Sequence, residues 1–97
     1  MQNFERDFEE FCKSPGIESG KARSYANAIR YLCDYMGISE MNMEAVNKIR
    51  HVESDIRDKE SPFYHSLLDF LSTRRQKSYL EKGFISVAIK YLFSYMK

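Results

Sequence analysis

The chain has 97 residues and a net charge of +1, a length that supports one hydrophobic core and no second domain. Its 43% apolar and 30% charged content, with four glycines, two prolines and two cysteines, excludes a disordered, collagen-like or disulfide-dense chain. A freely basic chain would point to nucleic acid directly; this near-neutral balance does so only weakly, so charge is informative only once it is divided along the chain.

The first helix is expected from Asn3 to about Lys13. Phe4, Phe8 and Phe11 recur at spacings of four and three, which puts three rings on one face. Asn3 reads as its cap, and Glu5 and Asp7 suit the positive end of the helix dipole. Ser14-Pro15-Gly16 stops it, because proline cannot continue a helix and glycine permits the turn.

The second helix is expected from about Gly20 to Met36, with Ser19 as cap. Ala22, Tyr25, Ile29, Leu32, Cys33 and Met36 form its apolar stripe, and Gly37 is a natural stop. The third runs from about Met43 to Ile56, capped by Asn42, with Val46, Ile49, Val52 and Ile56 on one narrow buried face. The fourth opens at Ser61-Pro62, a cap followed by proline at the first helical position, and ends near Arg75. Phe63, Leu67, Leu68, Phe70 and Leu71 give it a strong apolar face. The fifth follows Ser78 to the end of the chain, with Gly83 able to delay its start.

From Phe84 onward only Ser86, Lys90, Ser94 and Lys97 interrupt the apolar residues. A helix apolar over most of its circumference must be surrounded, so this one is central to the core or turns one side to a partner. The partner would be a second copy or a further domain. An ending on such a helix also makes the chain an expected N-terminal piece of a longer protein. No alternating strand pattern and no Asn-Gly or Asp-Gly hairpin turn is present.

Catalytic chemistry is missing. His51 and His65 stand on different helices without a ligand motif around either. Gly16 and Gly20 lack the Lys-Ser/Thr of a phosphate loop. Glu53, Asp55, Asp58 and Glu60 are interleaved with bases and read as a solvated helix end. Cys12 and Cys33 sit at apolar positions and read as buried, reduced thiols. No enzyme, cofactor or metal site is expected. The first ten residues carry four acids where a signal peptide needs a basic start. No apolar run approaches the roughly 20 residues that span a bilayer. The expected location is cytoplasmic, away from membranes.

Charge divides unevenly. Residues 1–20 hold five acids against two bases, and residues 71–97 hold six bases against Glu81 alone. Two stripes combine cations with intervening polar groups, the pattern that neutralises phosphates. One is Lys21, Arg23, Asn27 and Arg30 on the second helix. The other is Arg74, Arg75, Lys77, Lys82, Ser86 and Lys90 on the last loop and helix.

Two segments resemble a known family. Ser19-Gly20-Lys21-Ala22-Arg23-Ser24-Tyr25, continuing to Leu32-Cys33-Asp34-Tyr35-Met36, is similar to the second helix of the core-binding (SAM-like, N-terminal) domain of phage integrases and tyrosine recombinases. Lys77-Ser78-Tyr79-Leu80, with Ser86 through Met96, is similar to that domain's last, aromatic-rich helix. Phe8-Glu9-Glu10-Phe11 matches its short first helix. A related domain precedes the nuclease domain of some restriction-type proteins. The resemblance implies an all-α, orthogonal bundle of four to five helices that clamps double-stranded DNA by its backbone beside a C-terminal catalytic domain. It places Lys21, Ser24 and Asn27 on the DNA side of the second helix, and Lys77 and Lys82 there at the start of the last. It implies a role in DNA recombination or restriction. The chain departs from it in being less basic than such domains usually are. The competing expectation is a helical protein-interaction or dimerisation module, anchored by Phe93, Tyr95 and Met96 of the last helix.

Overall fold

The computed structural model describes residues 2–14 and 16–97, and these hold six helices and no strand. They are α1 (Gln2–Lys13), α2 (Ser19–Met36), α3 (Met43–Arg57), α4 (Pro62–Thr73), α5 (Ser78–Glu81) and α6 (Phe84–Tyr95). The protein is a small all-α bundle.

Local chemistry sets most boundaries. Asn42 Oδ1 accepts the Ala45 amide at 2.9 Å and caps α3. Ser61, ahead of Pro62, accepts the Tyr64 amide at 3.0 Å and donates its hydroxyl to the Asp55 carbonyl at 2.8 Å. One side chain thus starts α4 and ties it to the end of α3. At Gly37 the backbone turns left-handed (φ 73°), and its amide returns to the Cys33 carbonyl.

Two expected caps differ. α1 begins at Gln2, so Asn3 lies inside the helix and its side chain meets Arg6 at 3.5 Å instead of capping. α2 begins at Ser19, because the Ala22 amide already bonds the Glu18 carbonyl at 3.0 Å. Glu18 therefore holds the capping position, with no side-chain cap bond. Pro15, expected to stop α1, lies outside the described residues. Ser14 and Gly16 close the turn through amides to Phe11 and Lys13.

The expected fifth helix is two. Lys82 leaves helical geometry, and Gly83 takes φ 81°. The four-residue α5 therefore ends before α6 begins. α4 also stops earlier than expected, at Thr73, and Arg74 and Arg75 form the turn that follows.

α6 is the central element. Its Ile85, Ala88, Ile89 and Leu92 have no exposed surface, and α1, α2, α3 and α5 all pack against it. That resolves its nearly all-round apolarity: neighbours cover it. The side left to water carries Val87, Lys90, Ser94 and Lys97. α1 is docked by Phe8, which is fully buried, stacked on Phe4 and edge-on to Tyr95. No helix among the described residues is long and apolar enough to cross a membrane.

Candidate nucleic-acid interface

The two basic stripes have different surroundings. On α2 the cations turn towards α1. Arg23 Nε lies 3.9 Å from Glu9 Oε1, and Arg30 Nε lies 3.8 Å from Glu5 Oε1. Arg30 also donates to the Tyr31 hydroxyl at 3.3 Å and stands over that ring. Asn27 is half-buried and shares a groove of about 510 Å³ with Glu5, Arg6, Glu9, Lys13 and Arg23. The Ser24 hydroxyl is engaged with the Gly20 carbonyl at 3.0 Å. Lys13 bridges Glu9 and Glu10 in the same groove, and its hydrogen bond to Glu10 raises the ammonium pKa above its ordinary value. Amphipathic packing explains this arrangement. α1 puts its phenylalanines into the core, so its carboxylates fall at the rim where α2's arginines emerge. Lys21, one turn before Tyr25, is exposed and has no acidic partner among the described residues.

The second stripe is less neutralised. Arg74 alone is paired, to Asp34 at 3.4 Å, and its guanidinium lies 4.3 Å above the Phe70 ring. Arg75, Lys77, Lys82 and Lys90 are exposed, with no acidic partner among the described residues. Ser86 is half-buried beside them on α6. The backbone presents this group: Arg75 sits at φ 61° in the turn, Lys77 precedes α5 and Lys82 follows it. A left-handed non-glycine residue carries about 1 kcal/mol of strain. The Gln76 amide, bonded to the Leu71 carbonyl at 2.8 Å, holds the turn.

Arg50 was not among the expected site residues. It is exposed on α3 and lies 4.5 Å from the Phe93 ring centre of α6. No sequence spacing links the two; α3–α6 packing brings them together. Phe93 is thereby covered in part by Arg50, and Tyr95 is enclosed by Phe4, Phe8 and Phe11 at 5.1–5.9 Å.

Other polar groups form no reactive set. His51 and His65 are exposed. Asp58 accepts the Glu60 amide, and Glu53 pairs with Arg57 at 4.0 Å. No group of three His, Cys, Asp or Glu residues among the described residues is arranged to hold a metal ion. Cys12 and Cys33 are both buried and unbridged. No family model matches the chain, and no curated protein and no solved structure matches it.

Proposed function

We propose that this domain binds the phosphate backbone of duplex DNA, without catalysis of its own, through the turn after α4, α5 and the exposed side of α6. The observation that carries this reading is the contrast between the stripes. Arg23 and Arg30 of α2 meet carboxylates of α1, whereas Arg75, Lys77, Lys82 and Lys90 face water without an acidic partner among the described residues. A cation whose field is not cancelled nearby attracts phosphates and releases their counterions. Lys21 and Arg50 are further exposed cations on neighbouring helices.

The order of helices and the resemblance of α2 and α6 support an accessory role in an integrase-like or restriction-related protein of the cytoplasm. Chemistry would belong to a C-terminal catalytic domain. Few base contacts are expected, because lysine and arginine on phosphate position a protein without reading sequence. The protein-interaction reading draws less support: Phe93 and Tyr95 are engaged inside the bundle, and Val87 is the exposed large apolar residue of α6.

The test is titration of a labelled duplex of about 20 base pairs at low and moderate salt. Wild type is compared with the triple variant Arg75→Ala, Lys77→Ala, Lys82→Ala. Arg74 is left in place because it anchors the turn to α2 through Asp34. Salt-sensitive binding that the variant loses supports the reading. Absence of binding by the wild type at low salt overturns it.

A further inference from the structure

Between α2, α5 and α6 runs a continuous row of half-buried aromatic rings. Tyr31 meets Tyr79 at 5.1 Å, Tyr79 meets Phe84 at 5.8 Å, Phe84 meets Tyr25 at 6.0 Å, and Tyr25 stacks on Tyr91 at 5.4 Å. Four of the chain's seven tyrosines are in this row. Tyr31 spends its hydroxyl on Arg30. The hydroxyls of Tyr25, Tyr79 and Tyr91 make no hydrogen bond among the described residues. None of them is a buried polar atom lacking a partner either, so each reaches water.

Exposed cations stand near the row in sequence. Lys21 is one turn before Tyr25, Lys77 and Lys82 flank the helix that carries Tyr79, and Lys90 immediately precedes Tyr91 on α6. We infer that the Tyr25, Tyr79 and Tyr91 hydroxyls are phosphate-contacting groups, forming with these lysines one seam that follows a nucleic-acid backbone across three helices. The inference rests on the proposed DNA-backbone reading and adds binding residues to it. A phenol hydroxyl donates well to a phosphate oxygen, and tyrosine is among the side chains that do so. The Tyr25 and Tyr91 rings stack at 5.4 Å, which covers one face of each, and the whole row is half-buried. Base stacking needs exposed faces, so the seam suits a duplex backbone better than an unpaired strand.

The lysines and the hydroxyls differ in how they respond to salt. A lysine that neutralises a phosphate releases a counterion, and its loss makes the salt dependence shallower. A neutral hydroxyl releases none, so its loss weakens binding equally at every salt concentration. The test uses the whole chain, a labelled duplex, and the triple variant Tyr25→Phe, Tyr79→Phe, Tyr91→Phe, which keeps every ring. Tyr79→Phe alone serves if the triple variant does not match the wild-type circular dichroism and melting temperature. The expected result is affinity lowered about tenfold in the triple variant, or a few-fold in the single one, with the salt slope unchanged. Affinity equal to wild type overturns the inference and leaves the lysine-based reading standing. A stronger effect on a single strand than on the duplex also overturns it, in favour of stacking. A wild type that binds neither nucleic acid overturns both.

Discussion

Cys12 and Cys33 have no exposed surface, and burial pushes their pKa up to about 11 and about 12, with the negative charges of Glu9 and of Asp34 and Glu5 adding to the effect. Thiolates are the reactive form, so both residues should resist alkylation in the folded protein at pH 8 and react once it is unfolded. The same shifts set a direction for stability. Below the ordinary thiol value of 9.0, folded and unfolded chains both hold the protons and stability is full. Above it the unfolded chain releases protons that the fold retains, so stability declines as pH rises towards 11 and 12. Melting temperatures from pH 8 upward should fall less steeply in a Cys12→Ala, Cys33→Ala variant; identical slopes would remove the thiols from the explanation. Arg75 offers a second prediction at this scale. Its φ of 61° costs an arginine about 1 kcal/mol that glycine would not bear. Arg75→Gly should melt no lower than wild type while binding duplex more weakly, which separates a binding defect from a folding defect.

At the level of elements, the helix starts at α3 and α4 were legible because their determinants are local. Asn42 stands three residues before the amide it caps, and Ser61 does the same ahead of Pro62. The bond from Ser61 to Asp55 was not legible, since it depends on how α3 and α4 meet. Ser61 is 5% exposed and makes both bonds. Ser61→Ala should therefore cost about 1–2 kcal/mol, read as a lower urea midpoint with an unchanged slope. A cost near zero would mean that water replaces both bonds. The C-terminal segment was half-legible: Gly83 marked a possible delay. The complete α5, however, arises from tertiary contacts of Tyr79 and Leu80, with Tyr31, Phe84 and the core. A four-residue helix has no stability of its own.

Across the whole molecule, the acidic beginning and basic end of the chain do not act as two poles. α1 lies against α2, so part of the acid neutralises α2's arginines, and the cations near the C-terminus keep their field. Sequence spacing identified both stripes but not this difference, because Glu9–Arg23 and Glu5–Arg30 are paired by packing. The same holds for Arg74 and Asp34, 40 residues apart. Glu9→Gln is informative here. Glu9 is half-buried and also meets Lys13 at 3.5 Å, but its pair with the largely exposed Arg23 is long, at 3.9 Å, and contributes no more than about 1 kcal/mol, so the melting temperature should fall only slightly. Duplex affinity at low salt should rise about threefold as Arg23 is released, and a fall in affinity would argue against a masking role for α1. The most direct test of the account is the salt dependence of wild-type duplex binding. With Arg75, Lys77, Lys82 and Lys90 on phosphates, the logarithm of affinity should fall with the logarithm of salt concentration at a slope of roughly −3 to −4. A flat line, or no binding at the lowest salt, would contradict it.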